Sequence, residues 1–184
     1  MPRLTLTLLL VWGVSANAAT EMSTDPETGL SSWQTEQPGI QVRLSQISPD
    51  QARAFYLARG FSAAATEHYV AECVFMTVVR NIGDTPIRHR LADWRYAVAG
   101  QTPQIIRSKT EWAALWKKLG VSESARIAFT WAQFPSTQTF EVGDWNQGMT
   151  TYRVPRDQPF TLRFSWLNGN KTFSGTLNNV RCAQ

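Results

Sequence analysis

The stretch HYVAECVFMTVVR, residues His68–Arg80, decides how this chain folds. Val70, Val74, Phe75, Met76, Val78 and Val79 leave few positions for water, and branched and aromatic side chains favour extended backbone. A run of this kind is expected to form a central strand covered on both faces. Cys73 lies within it, and the chain's one other cysteine is Cys182 near the C-terminus. The two are expected to pair, tying the last strand to the central one. Neither belongs to a C-x-x-C motif or a histidine cluster, so a redox or zinc role has little support.

Outward from this strand, Asn81-Ile82-Gly83-Asp84 supplies turn residues, and Ile87, His89 and Leu91 then alternate with Arg88 and Arg90. The expected arrangement is a hairpin, with a bulge near Ala92-Asp93 where the alternation changes phase before Trp94. Upstream, Ile40, Val42 and Leu44 alternate with polar neighbours in a first strand. Ser48-Pro49-Asp50-Gln51 has the spacing of a capping box and opens a helix to about Arg59, closed by Gly60. Ser108 and Glu111 repeat the device before Trp112, Leu115, Trp116 and Leu119.

Further strands are expected at 127–134, 138–142, 149–154, 160–167 and 171–180, with Asn168-Gly169 as the clearest hairpin turn. The expected fold is mainly β: an antiparallel, immunoglobulin-like sandwich with two short helical insertions, a small barrel being the alternative. The sandwich occupies 39–184 as one domain. Residues 19–38 are polar, anchored only by Leu30 and Trp33, and read as a flexible leader.

Residues 1–18 read as a signal peptide, with Arg3 ahead of an apolar stretch and Ala16-Asn17-Ala18 as the cleavage site. The expected destination is the bacterial periplasm, with no transmembrane segment in the mature chain. The formal charge of +4 is modest and the basic residues are dispersed, which argues against nucleic acid as a partner.

Motifs for nucleotide, nicotinamide and zinc-protease chemistry are missing from the sequence, as is a nucleophile elbow. With two histidines in the whole chain, imidazole chemistry is restricted to His68 and His89. His68 and Glu72 would share a strand face, as base and orienting carboxylate or as two metal ligands. Copper is a possible cofactor, with His89, His68, Met76 and Met149 as ligands. His68 and Met76 would lie about 26 Å apart on one strand, so only a pairing such as His89 opposite Met76 across the hairpin, with Met149 arriving from elsewhere, could close the site.

Aromatic residues supply the other candidates. Trp112 and Trp116 belong to a helix stripe, and Trp131 and Trp166 to strand cores, leaving Trp33, Trp94 and Trp145 for recognition. Gly143-Asp144-Trp145-Asn146-Gln147-Gly148 reads as a loop offering an aromatic platform among Asp144, Asn146 and Gln147, fit for a sugar or a partner's side chain. Arg88 and Arg90 form the densest basic spot. The leading expectation is a non-enzymatic binding or accessory protein of the envelope, acting through a secreted or membrane protein. Copper binding or delivery is the first alternative. The second is a carbohydrate-active or small-metabolite enzyme using Glu67, Glu72, Glu141 or Asp144 as paired carboxylates.

Overall fold

The computed structural model describes residues 19–184, so the signal-peptide reading of residues 1–18 lies outside the described residues. The strands are β1 (Glu21–Thr24), β2 (Ser31–Gln37), β3 (Ile40–Ile47), β4 (Cys73–Asn81), β5 (Ile87–Arg90), β6 (Arg95–Val98), β7 (Gln104–Ile105), β8 (Thr137–Phe140), β9 (Trp145–Tyr152), β10 (Phe160–Asn168) and β11 (Lys171–Val180). The helices are α1 (Pro49–Leu57), α2 (Ala63–Val70), α3 (Lys109–Lys118) and α4 (Glu123–Ala132). The fold is mainly β, with two antiparallel sheets and four helices.

The first sheet runs β1-β2-β3-β4-β9. In the second, one edge of β10 pairs with β11 and the other with β6 and β5, which β7 and β8 flank in turn. Period-two alternation sends Phe75 and Val79 of β4 inward, with Val42, Leu44 and Trp33, to meet Tyr96, Phe160, Leu162 and Phe164 of the second sheet. The outer face of the first sheet is covered at one end by the four helices, where Tyr56, Tyr69, Trp112, Trp116 and Phe129 pack over Val74 and Met149. Trp112 and Trp116 stack with centroids 4.9 Å apart. Their spacing of four residues places both on the inner side of α3.

Both expected capping boxes are present. Ser48 Oγ accepts from the Gln51 amide and Gln51 Oε1 from the Ser48 amide; Ser108 and Glu111 repeat the exchange. Gly60 takes φ 85°, the left-handed conformation expected past the end of α1. Cys73 and Cys182 form the disulfide, with Cα atoms 5.3 Å apart. It joins β4 of the first sheet to the tail of β11 in the second.

Several expectations are corrected. Residues 19–38 are no flexible leader: β1 and β2 extend the first sheet, and Trp33 is buried in its core. Trp33 and Thr35 on the inner face and backbone pairing with β3 dock this otherwise polar strand. There are four helices rather than two. Residues 68–70, expected to begin the central strand, instead close a helix over 63–70 that Ser62 caps through the Ala65 amide. The segment 127–132 is helical as well, capped by Ser122, with Ala125 and Phe129 buried at a spacing of four. No hairpin joins β4 to β5. The chain crosses to the second sheet, where β5 pairs with β8 and β10. The phase change near Ala92-Asp93 is a 3-10 turn over Leu91–Asp93, so β5 and β6 run as one interrupted strand along β10.

Gly148 is the tightest point of the layering. The chain leaving α4 passes directly over it, with the Phe134 amide donating to the Met149 carbonyl at 3.0 Å. A Cβ at Gly148 would lie closer than 3.0 Å to backbone atoms of Phe134 and Gln133. Gly148→Ala is therefore expected to destabilise by about 2 kcal/mol, measured as a lower urea midpoint at an unchanged slope.

Candidate functional site

Among the described residues, two grooves are lined by an exposed tryptophan. One lies on the uncovered part of the first sheet's outer face. Register brings side chains there into rows across four strands. Glu36, Gln41, Arg80 and Trp145 form the first row, Gln34, Arg43, Val78 and Gln147 the second, and Ser32, Ser45, Met76 and Met149 the third. Trp145 is 55% exposed although it stands on a strand. It lines a groove of about 320 Å³ with Gln41, Arg43, Val78, Arg80 and Gln147. That lining holds two guanidiniums, two amides and no carboxylate. Gln41 donates to Glu36 at the groove's edge (2.6 Å).

The other surface lies between α3 and α4. With Ala125 and Phe129 turned inward, the remaining stripe of α4 projects Ile127, 53% exposed, and Trp131, 85% exposed. The two are four residues apart and so share a face. They line a mostly apolar groove of about 420 Å³ with Ala113, Glu123, Arg126 and Thr130. Lys109 donates to the Thr130 carbonyl at 3.2 Å, which holds an ammonium beside Trp131. Partial burial lowers the pKa of that ammonium. Across 107–132 there are five basic residues, Arg107, Lys109, Lys117, Lys118 and Arg126, against Glu111 and Glu123.

The residues expected to form the site scatter. Trp145 is exposed, but the segment 143–148 is no open loop, since β9 begins at Trp145. Asp144 serves the preceding turn, its carboxylate accepting from the Glu141 amide and its carbonyl from the Asn81 amide. Asn146 points to the opposite face from Trp145 and donates to Gln138 at 2.7 Å. Trp94 is fully buried, donating to the Ser165 carbonyl, and Trp33 is buried too, so neither is a recognition residue. Trp131 reverses its expected role, from core to the most exposed large hydrophobic side chain among the described residues. Arg88 and Arg90 lie on the outer face of the second sheet, away from Trp145, and Arg90 is paired with Asp93 at 2.8 Å.

The four residues considered for copper do not converge. Met76 and Met149 are a cross-strand pair, with Tyr56 donating its hydroxyl to the Met149 sulfur at 3.3 Å. His89 is in the other sheet, opposite Trp166 and Gln138. It is enclosed by Trp94, Phe134 and Phe140, with both ring nitrogens lacking a partner, and burial lowers its pKa from 6.5 to about 4. His68 is exposed on α2, so the His68–Glu72 strand pair is not formed. No group of three or more metal-ligating His, Cys, Asp or Glu side chains occurs among the described residues.

The carboxylates are also separated. Glu67 pairs with Arg53 at 2.7 Å. Glu72 is buried at the start of β4 and holds Arg107 at 2.9 Å and Arg153 at 3.3 Å. Desolvation raises its pKa, while Thr151 and the two arginines oppose the shift. Arg107 also covers the Trp112 ring at 4.3 Å, so this cluster clasps the start of α3 to the sheets. Glu141 and Asp144 sit at the other end of β4 and β9, about 26 Å from Glu72 at the rise of an extended chain.

No helix among the described residues is long and apolar enough to cross a membrane. Comparison of the chain with protein-family models, curated proteins and solved structures finds no match, so the functional reading rests on the residues themselves.

Proposed function

We propose that this is an exported, non-enzymatic binding or accessory protein of the bacterial envelope, carried on an immunoglobulin-like sandwich and acting through a protein partner. The observation that carries this reading is the groove between α3 and α4, where Ile127 and Trp131 project an apolar face that no other element among the described residues covers. Aromatic side chains of this kind dominate the energetics of protein interfaces. A groove between two helices suits a third, laid in through its own apolar stripe. With Arg107 held by Glu72, α3 and α4 carry Lys109, Lys117, Lys118 and Arg126 against Glu111 and Glu123, a surplus that favours a helix with acidic flanks over a second copy of this chain. The disulfide suits an oxidising compartment, which supports the periplasmic placement.

Capture from an envelope extract tests the reading. The oxidised protein is expected to retain a stoichiometric partner. Trp131→Ala should weaken retention at least tenfold, as expected for a central anchor, while leaving the Tm within about 2 °C, because the side chain contributes little to the core. Retention that is unaffected by Trp131→Ala would overturn the assignment of the surface.

A further inference from the structure

The uncovered face of the first sheet has a different chemistry from the α3–α4 groove, and neither depends on the other. We propose that this face is a binding site for an acidic oligosaccharide. Trp145 presents a half-exposed indole beside Arg80, its cross-strand neighbour, with Gln41 next in the row. An indole face receives the C–H face of a pyranose, a contact that a polar, hydroxyl-rich ligand makes without losing its hydration elsewhere. Each sugar also presents adjacent hydroxyls that donate and accept. The Gln147 amide does both, the Gln41 amide accepts while its nitrogen donates to Glu36, and the guanidiniums of Arg43 and Arg80 offer paired donors.

The charge of the lining selects among glycans. Arg43 and Arg80 form no ion pair among the described residues, and Glu36, the one carboxylate of these rows, stands at the groove's edge two strands from Arg80, so two guanidiniums face one carboxylate. Carboxylates accept from such forks in paired, charge-assisted bonds, which favours a sugar bearing a carboxylate. A protein partner is disfavoured here because Val78 and Trp145 are the only apolar side chains of the lining, too few for the apolar centre of an interface. The surface beyond the groove differs in character. The next row along the same strands, Ser32, Ser45, Met76 and Met149, floors a second cleft of about 570 Å³ bounded by Gln46, Gln51 and Phe55. Leu30, Ile47, Phe55 and the two methionines make that cleft mainly apolar, Asp25 stands at its rim, and Ser32 bonds Ser45, so the charge-selecting part of the site is the groove at Trp145.

Electrophoresis of the native, oxidised protein through gels containing polygalacturonate or neutral dextran provides the test. The expected result is retardation by polygalacturonate and none by dextran, with Trp145→Ala weakening the apparent affinity about tenfold and Arg43→Ala together with Arg80→Ala weakening it further. Trp145→Ala keeps every charge, so its effect separates a built site from general attraction of a basic protein to a polyanion. Arg163→Ala on the outer face of the second sheet supplies a charge-removing control that should change nothing. Near-ultraviolet circular dichroism checks that each variant is folded. Equal retardation of wild type and Trp145→Ala, equal retardation by dextran, or no retardation at all would each overturn the proposal. None of these outcomes bears on the α3–α4 groove.

Discussion

Replacing Cys73 and Cys182 by serine is expected to lower the stability of the fold by about 4–5 kcal/mol, the largest loss of any change considered. The bridge closes a loop with a sequence separation of 109, and removing it returns that loop's freedom to the unfolded chain. The consequences for packing point the same way. Both cysteines are buried in the core between the sheets, and the tail carrying Cys182 is held by Arg156 donating to the Ala183 carbonyl at 2.8 Å and by Gln46 donating to the Arg181 carbonyl at 2.8 Å. Without the covalent link, these bonds, the Gln184 side chain donating to the Arg156 carbonyl and the burial of Ala183 are left to hold the tail. For a domain of this size the loss corresponds to a fall of roughly 10–15 °C in Tm. Calorimetry of the double serine variant at a fixed pH measures it, and a fall of less than about 3 °C would show that the bridge contributes little.

The second large effect is a dependence on acid that belongs to one side chain. His89 is 1% exposed, has three aromatic neighbours and no partner for either nitrogen, and its pKa falls from 6.5 to about 4. Between those values the unfolded chain binds a proton that the native state refuses. The stabilisation is therefore complete above pH 6.5, declines as the pH falls through the interval and is lost below about 4. The full span is worth about 3 kcal/mol. His89→Phe keeps the ring and removes the proton, so its stability should be equal to or above that of the wild type at pH 7 and exceed it increasingly toward pH 4. Urea denaturation of both proteins at pH 7, 5.5 and 4.5 checks this, the difference between them cancelling the other titrating groups. Parallel curves would mean that His89 finds a hydrogen-bonding partner in solution.

Much of the architecture was legible where local chemistry admits one solution. Ser48 with Gln51 and Ser108 with Glu111 specify helix starts through hydrogen bonds three residues apart, and both form. Asn168-Gly169 places a tight turn between β10 and β11, and two cysteines leave one pairing. Other segments satisfy two periods at once. In α4, Ile127, Phe129 and Trp131 alternate as a strand would, and the helical period is carried by Ala125 with Phe129, where a small methyl side chain marks the inner face. Ser122 as N-cap was the available signal. The first sheet's β1 and β2 carry few apolar residues, and their place follows from pairing with β3 rather than from their own composition.

The site was less legible for the same reason. Exposure belongs to the assembled fold, so seven tryptophans outside residues 1–18 could not be sorted by type alone. Trp94 and Trp33 lie inside, Trp131 and Trp145 outside. The rows that bring Arg43 and Arg80 beside Trp145 depend on register among three strands far apart in sequence. Copper ligands drawn from an assumed β4–β5 hairpin dispersed once that connection proved to cross between the sheets.

The central claim, that a protein partner docks in the groove between α3 and α4, is tested most directly by site-resolved photo-crosslinking in an envelope extract. A photoreactive side chain is placed in turn at Ile127, at Gln147 on the open sheet face and at Arg163 on the outer face of the second sheet. The account predicts one protein adduct from position 127, competed by a synthetic amphipathic helix with glutamates on its flanks, and no such adduct from 147 or 163. The same adduct from all three positions, or from 147 and not 127, would contradict it.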